Sequence, residues 1–155
     1  MGHTNLLQQK TFCRMTKEEI SLLHLLQLGL SGKIKESVID IKYDIDWHSV
    51  YALALRQGIT AILLDAISKL PNEARPSKPM LLQWIGQATM MERMYAKHRG
   101  LISSLAELYG QQGIRMLLLK GYGCSLCYPK PEHRPTGDID VYLFGKKDEA
   151  DDLVE

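Results

Sequence analysis

Cysteine is scarce in this 155-residue chain, and its count of three is odd: Cys13, Cys124 and Cys127. An odd, sparse set argues against a disulfide framework and for a reducing, cytoplasmic setting. Charge of one sign is also lacking. Nineteen basic residues face eighteen acidic ones, for a net charge of +1. Nothing global therefore forces a nucleic-acid or membrane partner, although a local patch can still bind phosphate. No uncharged apolar run approaches the roughly 18 residues of a membrane span. The N-terminus has no basic start, apolar stretch and small-residue cleavage site. Internal repeats and low-complexity tracts are missing too.

What remains is ordinary globular composition, 45% hydrophobic and 24% charged. The length suits one domain or one and a half. The first two thirds read as helix. Thr16 and Glu19 form a capping box, and Leu22, Leu23, Leu26 and Leu30 recur at helical spacing behind it. Asp46 is a good N-cap for a helix beginning at Trp47, with Val50, Leu53 and Ala54 as its apolar stripe. Gly58 interrupts, and Ile62, Leu63, Ala66, Ile67 and Leu70 then share one face. A proline-rich loop spans 71–79. Ser77 and Pro79 open a long helix that runs to about Gln112, roughly 50 Å at 1.5 Å per residue. Gly113 is placed as its stop.

The pattern then changes. Residues 114–119 form a short apolar run whose length suits a buried strand. Residues 121–128 suggest a short helix, and 129–137 a loop with three prolines. From 138 to 144 the chain alternates, with Asp138, Asp140 and Tyr142 on one side and Ile139, Val141 and Leu143 on the other. That is the period of a strand with one buried face. Lys146 opens a charged helix. The expected architecture is α+β: a helical region over 1–112, then a partial α/β unit with a small mixed sheet over 113–155.

Asp138 and Asp140, two apart on such a strand, project from one face with Cα atoms about 6.5–7 Å apart. Carboxylates that close repel unless a cation lies between them. Oxygen ligands in pairs suit Mg²⁺ or Mn²⁺, with waters and substrate phosphates completing the shell. Gly121 follows a strand and opens a helix, where exposed backbone N–H groups attract phosphate. Lys120 and Arg134 add positive charge. A lone Asp-x-Asp is weak evidence, since Asp44 and Asp46 share the spacing. The ordered set is far more restrictive.

That set resembles an uncharacterised nucleotidyltransferase family of bacterial proteins related to the DNA polymerase β superfamily. The matching features are Lys120-Gly121, Tyr128-Pro129, Arg134-Pro135 and Asp138-Ile139-Asp140. Ile45-Asp46-Trp47 with Ala54, Gln57 and Gly58 is similar to the family's N-terminal helices. The resemblance implies that Asp138 and Asp140 are catalytic and bind Mg²⁺ or Mn²⁺. It also implies that Gly121 approaches a nucleoside triphosphate, whose nucleotidyl group passes to an unknown acceptor. Superfamily members usually carry Gly-Ser or Gly-Gly where this chain has Gly121-Tyr122, so Ser125, one turn later, is the candidate hydroxyl for the nucleotide. The superfamily's third carboxylate lies on a later strand, and this sequence stops one helix after the Asp-x-Asp. Two alternatives are therefore expected: a truncated sequence, or a degenerate member that binds without catalysing; in either case a homo-oligomer or the long helix is expected to cover the open sheet face.

Rival readings are a non-catalytic nucleotide-binding or protein-interaction module, and a helical ribonuclease in which Arg93 and His98 act. The second requires residues five apart to share a pocket, although they point about 140° apart on a regular helix. Cys124-x-x-Cys127 lacks a second ligand pair for zinc, since His133 alone does not supply one. Gly32-Lys33 lacks the upstream spacing of a P-loop. Trp84 and the Met90, Met91 and Met94 cluster are expected in helix packing.

Overall fold

A computed structural model of the chain describes residues 15–31 and 45–153. Cys13, Gly32, Lys33 and Asp44 lie outside the described residues. Helix α1 spans Lys17–Ser31, α2 Trp47–Gln57, α3 Thr60–Lys69 and α4 Lys78–Gln111. A two-residue strand β1, Leu117–Leu118, follows, then the short helix α5, Tyr122–Ser125. Strand β2, Val141–Tyr142, and helix α6, Lys147–Asp151, complete the order.

The helix starts follow the side chains that satisfy their first amides. Thr16 Oγ1 accepts from the Glu19 amide at 3.2 Å, and Glu19 Oε2 accepts from the Thr16 amide at 2.8 Å, a closed capping box. Asp46 Oδ1 accepts from the amides of His48 and Ser49, while Oδ2 accepts from the Ser49 hydroxyl at 2.7 Å. Gly58 ends α2 in the left-handed region, at φ 67°. Gly113, at φ 70°, turns the chain out of α4.

Helices α1 to α3 and the N-terminal half of α4 share one core, in which Leu25, Val50, Leu63 and Trp84 are fully enclosed. Trp84 meets Trp47 edge-on at 6.3 Å and Tyr51 at 4.9 Å. Its Nε1 is buried without a partner among the described residues. The inward face of α1 differs from the Leu22, Leu23, Leu26 and Leu30 stripe expected from spacing. Leu22, Leu25, Leu28 and Gly29 are buried, whereas Leu23 and Leu30 are exposed. Gly29 gives the reason. A Cβ built there would lie 2.4 Å from the Ile62 carbonyl oxygen, so α1 turns its glycine onto the α3 backbone. Lys69 Nζ closes this junction by donating to the Leu28 carbonyl at 3.0 Å. Met90 and Met94 also depart from expectation: both are exposed on α4 rather than packed.

Past α4 the sheet is a two-stranded antiparallel ribbon, with Leu117 opposite Tyr142 and Leu118 opposite Val141. The α+β class holds; the sheet is antiparallel where a mixed one was expected. It is also shorter than the apolar run and the alternation predict. Thr136 is held by α4, Gly121 turns the chain after β1, and Phe144 and Gly145 adopt positive φ after β2. Tyr109, Ile114 and Ala150 form a second small core, which fastens α6 and the ribbon to the end of α4.

Replacing Gly29 with alanine forces a Cβ into main chain. The expected cost is about 1–3 kcal/mol, read as a lower urea midpoint at unchanged slope. Asp46 gives a pH test. The Ser49 hydroxyl and amide hold its carboxyl below the usual carboxylate range. Its contribution to stability is thus present above that range and is lost as pH falls through the lowered value. In thermal melts, Asp46→Asn should flatten the decline on the acid side; an unchanged acid slope would contradict it.

Candidate functional site

The loop between α5 and β2 has little regular structure, yet it is anchored at several points. Its 3₁₀ turn, Pro131–His133, brings the His133 ring into a buried position between α3 and α4. His133 Nδ1 lies 2.6 Å from Asp65 Oδ2 on α3, and Nε2 lies 3.0 Å from Glu92 Oε1 on α4. A carboxylate oxygen from a different helix therefore faces each ring nitrogen. Lys130 Nζ donates to the other Asp65 oxygen at 2.5 Å. Further along, His98 Nδ1 on α4 meets Thr136 Oγ1 at 2.8 Å. Pro135 packs beside Gly58, where a Cβ would lie 3.4 Å from Pro135 Cγ.

This anchored loop carries the residues singled out from the sequence. Arg134 Nη1 donates to the Gly121 carbonyl at 2.8 Å and to the Pro135 carbonyl at 3.2 Å. Its guanidinium lies 5.8 Å from the Tyr128 ring centroid. Gly121 holds φ 56° and ψ −110°, a conformation open essentially to glycine. A Cβ on it would lie 3.1 Å from the Asp138 carbonyl oxygen. The Leu119 amide donates to the Asp140 carbonyl at 3.0 Å. Lys120 Nζ sits 3.4 Å from Asp140 Oδ2.

Lys120, Gly121, Arg134, Asp138 and Asp140 are therefore brought together from two segments. Asp138 is exposed, and its carboxylate has no hydrogen-bond or ion-pair partner among the described residues. Asp140 is half-buried and shares its charge with Lys120. Arg134 spends donors on main-chain carbonyls, so it braces the turn rather than standing free. Ser125 is not part of the group. It is fully buried, with its hydroxyl donating to the Tyr122 carbonyl at 2.6 Å and 3.3 Å from the Tyr95 hydroxyl. Tyr122, in the position where a serine was expected, stacks on Tyr95 with centroids 5.0 Å apart. A hydrogen bond with Tyr95, then partial burial, pushes its phenol above the usual tyrosine value.

The donor set suits a hard divalent cation: carboxylate oxygens alone, one of them unpaired. Among the described residues no three His, Cys, Asp or Glu side chains gather into a metal cluster, so the two aspartates would hold the ion with water or phosphate oxygens. Cys124 and Cys127 are both free and exposed.

Spacing alone missed the three-residue bridge of Asp65, Glu92 and His133. One signal for it existed: Asp65 lies within the apolar run of α3, between Leu64 and Ala66, where a carboxylate needs a partner.

The sequence profile of an uncharacterised nucleotidyltransferase family matches residues 43–152. No curated protein and no solved structure matches the chain. Among the described residues no helix is long and apolar enough to cross a membrane.

The turn itself can be tested. Gly121→Ala places a side chain in a glycine-only conformation against the Asp138 carbonyl. A loss of about 1–3 kcal/mol in chemical denaturation is expected, whereas Gly137→Ala, with open space around its Cα, should be close to neutral.

Proposed function

We propose, from the premise that the chain belongs to this uncharacterised nucleotidyltransferase family, that its site binds a metal-complexed nucleoside triphosphate for nucleotidyl transfer to an acceptor. The observation that carries the reading is the contact of the Gly121 turn with the Asp138 main chain. It brings the Gly121 turn beside the segment that carries Asp138 and Asp140, which supports pairing a phosphate-approaching turn with two carboxylates.

In this reading Asp138 and Asp140 hold Mg²⁺ or Mn²⁺. The bound ion would supply charge neutralisation for the triphosphate. The Gly121 turn lets main chain approach the phosphates without a side chain in the way. Lys120, exposed and 3.4 Å from Asp140 Oδ2, would be free to turn its ammonium toward phosphate at little cost. Arg134 keeps the Gly121 carbonyl fixed, which directs the turn's polar groups. Ser125 stays inside and takes no part.

A second reading is binding without transfer. It is favoured by one observation: no third carboxylate joins the aspartate pair among the described residues.

Calorimetric titration of the full chain with MnCl₂, then with a non-hydrolysable nucleoside triphosphate in its presence, tests both. Metal-dependent nucleotide affinity is expected, weakened about tenfold or more by Asp138→Asn, or about 1.4 kcal/mol per decade. No metal-dependent binding in the unaltered chain would defeat the proposal. Binding without pyrophosphate release from a hydrolysable triphosphate would select the second reading.

A further inference from the structure

The structure assigns a role to His133 that lies outside the metal and phosphate contacts: we propose that it is the positioning residue that sets the carboxylate segment against the helical scaffold. The inference rests on the proposed metal site. Three links connect the histidine to the aspartates. First, the imidazole is clamped between Asp65 of α3 and Glu92 of α4 at 2.6 and 3.0 Å. Second, the next residue, Arg134, donates 2.8 Å to the Gly121 carbonyl. Third, Gly121 abuts the Asp138 carbonyl, 3.1 Å from where its Cβ would stand. A displacement at His133 is passed to Arg134 by one peptide unit. From there it reaches the turn and the segment that carries Asp138 and Asp140.

The arrangement is specific to positioning. His133 is buried, whereas Asp138 is exposed and Asp140 half-buried. Both ring nitrogens are occupied by carboxylates, which leaves none to ligate. The groups that face the ring are Asp65 from α3 and Glu92 from α4, with Lys130 of its own loop on the far Asp65 oxygen. Outer residues that orient metal ligands commonly control affinity by roughly 10–100-fold. The clamp acts one step further out, so the low end of that range applies.

The experiment measures Mn²⁺ affinity and amide hydrogen exchange on the full chain, well below its melting temperature. His133→Ala should weaken Mn²⁺ binding about tenfold. It should also speed exchange at Leu119, whose amide is held by Asp140, and at Ser125, whose amide is held by Gly121. Core amides of α2 should keep their protection. Glu92→Gln keeps a hydrogen-bonding group at Nε2 and should stay within about twofold of the unaltered chain. Mn²⁺ affinity that is unchanged in folded His133→Ala, with only a lower melting temperature, overturns the proposal. Should that variant not fold, Glu92→Ala removes one arm of the clamp at a half-exposed position and is read in the same way. If the unaltered chain binds no Mn²⁺, the metal reading falls by itself. Exchange then decides the clamp: faster at Leu119 and Ser125 in the variant supports it, and unchanged rates refute it.

Discussion

The imidazole of His133, held between carboxylates from two different helices, is the contact that ties the loop over 126–140 to the helical scaffold. The loop over 126–140 has no ladder partner for most of its length and no apolar cluster of its own. Its place is instead fixed by the hydrogen bonds of His133 with Asp65 and Glu92, with Lys130 and Thr136 as further ties. Of the two arms the Asp65 one is the more enclosed, since its side chain is 16% exposed against 45% for Glu92.

The clamp has value only because its two carboxylates are rigid with respect to each other. That rigidity comes from the helical core. Gly29 allows α1 to meet the α3 backbone directly, and Trp84 fills the space between α2 and α4. Helix α3 is therefore packed on one flank and presents Asp65 on another. Helix α4 continues past this core, offering Glu92, Tyr95 and His98 to the loop and its neighbouring short helix. Packing of apolar side chains sets the scaffold, and polar contacts hang the site upon it. A fault in the first reaches the second, while the reverse holds only locally.

Belonging to a nucleotidyltransferase family gives the polar half its meaning. In the proposed reading, a turn closed by glycine, a lysine already near one carboxylate, and a second carboxylate with no partner among the described residues serve a charged substrate. The arginine that looked suited to phosphate is engaged with the turn's own carbonyls. The buried serine supports Tyr122 and Tyr95 in the same way. Two of the residues that looked like ligands are thus parts of the frame that holds the turn.

The local signals in the sequence were legible because their physics is local. The capping box at Thr16 and Glu19, the Asp46 cap, the glycine stops and the 34-residue helix all follow from interactions within a few residues. So did the pairing of the Lys120-Gly121 turn with the Asp138-Ile139-Asp140 segment, which the order of motifs implied. Strand lengths were not legible, since alternation does not reveal where the ladder ends. The inward face of α1 depended on a partner backbone 33 residues away, and Met90 and Met94 depended on whether anything packed over them. Sequence by itself determined the helices and the order of the motifs. Only the tertiary structure decided that Ser125 lies inside, that Arg134 braces the Gly121 turn, and that His133 joins Asp65 to Glu92. Those contacts span 30 to 68 residues of chain, or turn on which main-chain oxygen a side chain meets, and no short-range periodicity records either.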